Sequence, residues 1–326
     1  MQALQTSALL PELGGVALAE LPVPQAGPGE VLVRVRAATV GFPDLLMTHG
    51  GYQTKPDLPF VGGMEVAGEI AATGAGVEHL HIGDAVIASR KGGGFADYNV
   101  YPAASVFAKP AGLSFAQAAG LVSAYLTAYV ALVRCARIEA GEWLLVHGAA
   151  GGVGLAAVDL GKALGARVIA TASSKIKLDT IAAEYAPDAL IEGGTGFREQ
   201  VKAIAKGGAD VVFDPIGGDT FTESTRCIAF GGRLLVIGFT SGEAATLPTN
   251  IALIKGFSVL GIRAGEYGRR FPERGQENLA AIRALAAEGR IHPRVYAEIP
   301  LKQWREAFAM LTKREVIGRV VLVPGD

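Results

Sequence analysis

Residues 143–164 read WLLVHGAAGGVGLAAVDLGKAL, and this stretch decides the fold. Four apolar residues, Trp143–Val146, suit a buried strand. Gly148, Gly151 and Gly154 follow at Gly-x-x-Gly-x-x-Gly spacing, and 153–164 then reads as a helix. Strand, glycine turn and helix in succession form a cradle for a diphosphate. Missing side chains let the main chain approach such a ligand, and the helix N-terminus offers free N–H groups and positive dipole charge. Gly154 lets helix and strand pack closely. A glycine triplet alone is weak evidence, but in this context it points to dinucleotide binding.

Downstream, the same grammar repeats. Strand-like runs at Arg167–Ala172, 189–191, 209–213, 233–237 and 257–262 alternate with helix-like segments at 175–184, 197–205, 220–229 and 250–255. Such alternation predicts a parallel sheet covered by helices on both faces. Together with Trp143–Val146 the runs make six strands, the number in a doubly wound dinucleotide fold. The tail differs: 272–288 and 301–311 read as helices, and Arg319–Val323 (RVVLV) as a closing strand. With the parallel sheet complete near 262, this strand is expected to rejoin the N-terminal part.

Upstream, the chain reads as β structure. Residues 31–40 (VLVRVRAATV) alternate apolar positions with Arg34 and Arg36, the period of a half-buried strand. Runs at 66–72 and 85–88 continue the theme between glycine-containing turns. Pro43, Pro56 and Pro59 mark 41–62 as an irregular loop. These readings predict an α/β protein of two domains: a mostly antiparallel barrel or sandwich from 1–120 completed by 263–326, and a dinucleotide domain over 121–262.

The 326 residues suit two domains, and half of them are hydrophobic. Thirty basic and 31 acidic residues leave no charge block for a phosphate backbone or an anionic membrane, so nucleic acid and membrane are not expected partners. Cys135 and Cys227 are the only cysteines, which excludes a disulfide framework and fits a reducing, cytoplasmic setting. No secretory signal is read in the first 15 residues. Residues 115–133 carry no charge over 19 positions, yet Gln117, Gly120, Ser123 and Thr127 interrupt them. A buried helix accounts for this segment without lipid.

The second strand of the parallel sheet selects the cofactor. An acidic residue at its end would hold the ribose 2′-hydroxyl of NAD. Here it ends in Thr171, Ala172, Ser173, Ser174 and Lys175, with Lys177 beyond and no carboxylate before Asp179. Hydroxyls and lysines instead suit a 2′-phosphate, and NADPH is the expected cofactor.

Segments 149–154 (AAGGVG), 161–172 (GKALGARVIATA), 42–77, 214–218 (DPIGG) and 318–321 (GRVV) together resemble the quinone oxidoreductase, zeta-crystallin-like branch of the medium-chain dehydrogenase/reductase superfamily. The resemblance runs essentially end to end. It implies a GroES-like catalytic domain built from both termini, an inserted Rossmann domain, and a dimer or tetramer, here read as a homodimer. It places Phe42 and Thr127 at the cofactor, Gly152 and Val153 at the pyrophosphate, and Ser173, Ser174 and Lys177 at the 2′-phosphate. Gly217, Gly238, Phe239, Ile262 and Arg263 would line the nicotinamide half, with Arg319 closing the site.

Zinc-dependent relatives carry Cys and His where this chain has Gly41 and Met64, neither of which supplies a zinc ligand. No metal is expected, and Asp44 and Glu65 become structural carboxylates bonded to loop backbone or a nearby arginine. Without a Lewis acid, alcohol oxidation is hard. Hydride addition to a quinone or conjugated enone is easier, because the acceptor already delocalises the incoming charge. The candidate catalytic groups are Tyr52, as donor or stacking residue, and Arg263; Tyr267 lies nearby in sequence, and His49 reads as an exposed loop residue. Two alternatives stay open: reduction of the C=C bond of enals, enones or enoyl thioesters, and an NADPH-binding structural or RNA-contacting role, which the near-neutral charge disfavours.

Overall fold

The structure, a computed structural model, describes all residues of 1–326 except Thr54, Thr195 and Asp326. The chain divides into two compact units, Met1–Val122 with Pro293–Asp326, and Ser123–His292. The first begins with β1 (Gln2–Thr6), β2 (Val16–Glu20), β3 (Glu30–Val40), α1 (Phe42–Met47), β4 (Phe60–Val61), β5 (Glu65–Thr73), β6 (Ala85–Ser89), β7 (Tyr98–Pro102), β8 (Val106–Ala108) and α2 (Phe115–Ala119). The second holds α3 (Val122–Tyr129), β9 (Trp143–Val146), α4 (Gly152–Ala163), β10 (Arg167–Ala172), α5 (Lys175–Tyr185), β11 (Ala189–Glu192) and α6 (Phe197–Ile204). It continues through β12 (Ala209–Asp214), α7 (Gly218–Ser224), β13 (Ile228–Val236), α8 (Thr249–Lys255), β14 (Ser258–Gly261), α9 (Ala264–Arg270) and α10 (Pro272–Ala287). The chain then returns to the first unit with β15 (Val295–Pro300), α11 (Trp304–Thr312) and β16 (Arg319–Val323).

In the first unit, β3 carries the alternation read from sequence: Val31, Val33 and Val35 are buried and Arg34 and Arg36 exposed. It is the spine of a sheet ordered β15-β16-β3-β5-β6-β8, with β7 also on β3. All pairings there are antiparallel except β15 with β16. The closing strand does rejoin this unit, Val320 pairing with Val40. Phe95, Tyr101, Trp304 and Phe308 fill the core, with Phe308 edge-on to both Phe95 and Trp304. Each such buried ring contributes roughly 1.5–3 kcal/mol.

The second unit is a six-stranded parallel sheet ordered β11-β10-β9-β12-β13-β14. In chain order this is 3-2-1-4-5-6, the doubly wound arrangement, whose switch point falls between β9 and β12. Val146, Val168, Val212 and Leu234 are fully buried between helical layers.

Four details depart from the sequence reading. The helix expected at 220–229 stops at Ser224, and β13 starts at Ile228 rather than 233. A register shift lets Ala209 pair with Ile228 while Val211 pairs with Arg233, so the extra residues bulge out. The loop at 41–62 contains α1, because Asp44 at its third position accepts from the Gly41 N–H at 2.9 Å and fixes the first turn. Segment 115–133 is not one helix: it is α2, then α3, then a π-helical turn at Val130–Cys135. Among the described residues no helix is long and apolar enough to cross a membrane.

Finally, α9 and α10 belong to the second unit, so the boundary expected at 262 lies inside it. Polar clasps explain why. Arg134 donates to Asn278 and Glu277 at 2.7 Å each, and Arg290 donates to the Ala163 carbonyl at 2.7 Å. Periodicity in the sequence carries no trace of such long-range bonds.

Candidate functional site

At the carboxyl end of β9 the chain turns on Gly148, whose φ of +57° is left-handed and favours glycine. The Gly148 carbonyl accepts from Gly151 N–H at 2.9 Å, and Ala149 N–H donates to Thr171 O of β10 at 2.9 Å. A Cβ on Gly154 would lie 2.3 Å from the Gly148 carbonyl oxygen, so only glycine fits there. A Cβ on Gly151 would meet nothing nearer than 3.4 Å. Gly151 is the exposed N-cap of α4 and supplies no side-chain cap, so the first-turn N–H groups, those of Gly152 and Val153 included, have no intrahelical or capping partner. This cradle fits a diphosphate: it offers positive dipole charge, main-chain donors and an open approach.

Two further loops close on the same rim. Asp214, buried at the end of β12, accepts from Ile216 N–H at 2.8 Å and Gly217 N–H at 3.0 Å. Burial pushes its carboxyl above the usual range despite those bonds. Thr240 and Ser241 N–H donate to the carbonyls of Pro215 and Ile216. Gly217 therefore sits against Phe239: a Cβ on it would come within 2.9 Å of that ring. The expected residues Gly148, Gly151, Gly152, Val153, Gly154, Gly217, Gly238 and Phe239 thus share one edge of the sheet, across the switch point. Ile262, buried, and Arg263, exposed, follow β14 at that edge. Thr127 is half-buried on α3, its hydroxyl donating to Ser123 O at 2.8 Å. Tyr267 is occupied by Phe271 and by Arg274, which donates to its hydroxyl at 3.3 Å.

At the end of β10, Lys177 Nζ donates to Ser173 Oγ at 3.3 Å, and Ser174 is the N-cap of α5. Lys175 turns away into an ion pair with Asp179 at 2.8 Å. Strand β11 brings Glu192 into register with Ala172, an acidic neighbour that the linear reading did not weigh.

Sequence reasoning also missed His147. It is fully buried directly before the glycine turn, with Nδ1 3.2 Å from Thr171 Oγ1 and Nε2 2.9 Å from Ser224 Oγ. Burial lowers its pKa to about 3, so it is neutral. A histidine ending an apolar strand was the only signal; its partners stand 24 and 77 positions away.

The first unit holds a separate polar cluster. Asp44 accepts from Gly41 N–H at 2.9 Å and Gly63 N–H at 3.2 Å, and burial raises its carboxyl to about 7. Glu65 lies 3.4 Å from Thr39 Oγ1 and 4.0 Å from an Arg319 nitrogen. The expectation that both carboxylates bond loop backbone or an arginine matches this geometry. The Arg319 stem packs on Gly120, and a Cβ on Gly41 would lie 3.6 Å from its Nη1. The Arg319 Nε–H is buried with no acceptor among the described residues. Phe42 is 49% exposed, Tyr52 half-buried and His49 exposed.

Family signatures described as "Alcohol dehydrogenase GroES-like domain" and "Zinc-binding dehydrogenase" match residues 27–111 and 152–284. The chain is 37% identical over 301 residues to the quinone oxidoreductase-like protein 2 homolog of Nematostella vectensis, spanning 91% of this chain and 82% of that protein. A solved NAD-dependent alcohol dehydrogenase is 31% identical with a TM-score of 0.90, covering all of both chains. A mycobacterial protein solved with NADPH is 28% identical with a TM-score of 0.89, over 99% of this chain and 100% of that one. This chain belongs to the quinone oxidoreductase-like branch of the medium-chain dehydrogenase/reductase superfamily and is an NAD(P)-dependent oxidoreductase.

Proposed function

We propose that the chain uses NADPH, without zinc, to reduce a quinone or similar conjugated carbonyl acceptor. The observation that carries this reading is the donor set around Asp44. Both Asp44 oxygens are committed to backbone amides, Glu65 faces Thr39 and Arg319, and Gly41 and Met64 offer no thiolate or imidazole. These residues do not fit zinc, so the substrate must tolerate hydride addition without a Lewis acid.

For the cofactor, Ser173, Ser174 and Lys177 supply hydroxyls and a cation to a 2′-phosphate, while Glu192 opposes it from β11. Charge-assisted bonds to the phosphate are the stronger effect, because the Lys177 amine already reaches the Ser173 hydroxyl. Gly148–Gly154 would bind the pyrophosphate; Thr127, Gly217, Gly238, Phe239, Ile262 and Arg263 would orient the nicotinamide. Bound NADPH supplies a hydride, and one solvent proton completes two-electron reduction. Tyr52 is the proposed donor to the developing oxyanion, and Arg319 would close the site. The proposed assembly is a homodimer.

The test is NADPH consumption against benzoquinone, naphthoquinone, an enal, an enone and an enoyl-CoA, with zinc content measured on the same protein. Faster turnover of either quinone by metal-free protein supports the reading. Preference for the enal or enoyl-CoA, or activity that needs added zinc, overturns it.

A further inference from the structure

The second unit carries another concave site, at the amino ends of β12 and β13, opposite the glycine turn. An open depression of about 560 Å³ is lined by Lys202, Gly207, Arg226, Phe230, Ile254 and Lys255. That is the size of a small-ligand pocket. Three cations face it from three elements: Lys202 on α6, Arg226 just before β13, and Lys255 at the end of α8. Their counter-charge is thin. Lys202 meets Glu199 at 3.4 Å, a carboxylate that Arg198 also contacts and that is largely exposed. Lys255 donates to the Thr225 carbonyl at 2.8 Å. No carboxylate pairs with the Arg226 guanidinium among the described residues. The crowding is felt: burial first, then Lys202 and Arg226, hold the Lys255 amine below its ordinary pKa.

Beside these cations stands Phe230, 88% exposed, the most exposed of the chain's large apolar side chains. One side of its ring rests on Gly256, where a Cβ would overlap it, so the ring is positioned while most of it faces solvent. A planar guanidinium without a carboxylate partner matches a phosphate in two-point contact. An open aromatic ring accepts a planar base by stacking.

We infer that this depression binds a nucleoside phosphate, with its phosphate held by Arg226, Lys202 and Lys255 and its base stacked on Phe230. The site lies at the opposite ends of the strands from the cofactor cradle, so both are open to occupancy at once. The ligand's charge relieves repulsion among the three cations, and binding weakens as salt rises.

Titration calorimetry with ADP, and separately with inorganic phosphate, tests this on the whole purified chain with and without saturating NADPH. Saturable ADP binding is expected in both conditions, with phosphate weaker. The exposed-site double variant Lys202→Ala/Arg226→Ala should lose about tenfold or more in ADP affinity and keep its NADPH affinity. Phe230→Ala should weaken ADP and leave phosphate unchanged. Absence of ADP binding to the NADPH-saturated chain overturns the proposal, as does equal affinity for ADP and phosphate, or an unchanged double variant. A shift from dimer to monomer in Phe230→Ala without any ADP binding assigns the patch to a second copy and also overturns it. ADP binding that the double variant loses, in a chain that fails to bind NADPH, sinks the cofactor reading and leaves this one standing.

Discussion

His147 Nε2 lies 2.9 Å from Ser224 Oγ, whose own hydroxyl donates to the Thr220 carbonyl at 2.7 Å. The serine proton is therefore spent, and the imidazole must donate through Nε2–H. Nδ1 then accepts from the Thr171 hydroxyl at 3.2 Å. One neutral ring thus ties the end of β9 to the end of β10 and to α7, three elements that border the glycine cradle.

This geometry has a pH consequence in the second unit. The folded pKa of His147 is about 3, against an ordinary 6.5, so the unfolded chain takes up the proton first. Its contribution is fully present above 6.5 and is lost as pH falls toward 3, on the order of 4–5 kcal/mol in all. His147→Gln should flatten that acid limb. Trp143 fluorescence during urea unfolding, at several pH values, reads it out; an unchanged limb in the variant removes the assignment.

Gly151 and Gly154 separate binding from folding. Gly154→Ala drives a methyl to 2.3 Å from the Gly148 carbonyl and should cost about 2 kcal/mol or more in stability. Gly151→Ala meets only a 3.4 Å contact, so its fold should stand. Its methyl nevertheless intrudes on the proposed pyrophosphate position, and cofactor affinity should fall about tenfold or more. Thermal unfolding paired with cofactor fluorescence distinguishes the two. Equal behaviour of the variants would remove the cradle as the binding element.

The contrast between these glycines and His147 shows what was legible in the sequence. The glycine spacing and the strand–helix alternation are local, and they gave the parallel sheet and the glycine turn at its switch point directly. The partners of His147, the Arg134–Asn278 clasp and the register of Glu192 with Ala172 are set by tertiary packing between positions far apart in the chain. No periodicity encodes them. In the first unit a glycine at 41 and a thioether at 64, poor ligands for zinc, were readable in the sequence. The unpartnered Nε–H of Arg319 was not, because it depends on what fails to surround it.

The rim of β10 predicts cofactor preference. Lys177→Ala should weaken NADPH binding about tenfold and NADH binding little if this amine holds the 2′-phosphate as proposed. Ser174→Asp should favour NADH by repulsion. Glu192→Gln should move the other way and tighten NADPH. Dissociation constants for both cofactors across the three variants are the measurement. Equal losses for NADPH and NADH in Lys177→Ala would contradict the NADPH assignment.

Asp44 gives the first unit the opposite pH signature. Burial raises its carboxyl from 3.8 to about 7, so the folded state holds a proton that the unfolded chain releases. Its contribution is fully present below 3.8 and is lost as pH rises through 7, on the order of 4 kcal/mol if the bonds to Gly41 and Gly63 do not change. Asn at this position keeps a neutral acceptor of similar size. Asp44→Asn should therefore cost a few kcal/mol at pH 4, where one backbone amide loses its acceptor, and match or exceed the native chain at pH 8. Trp304, buried in this unit's core, reports the transition independently of Trp143. Stability of the native chain that rises between pH 4 and pH 7 by the Trp304 signal would show that the two amide bonds outweigh burial and that Asp44 is ionised.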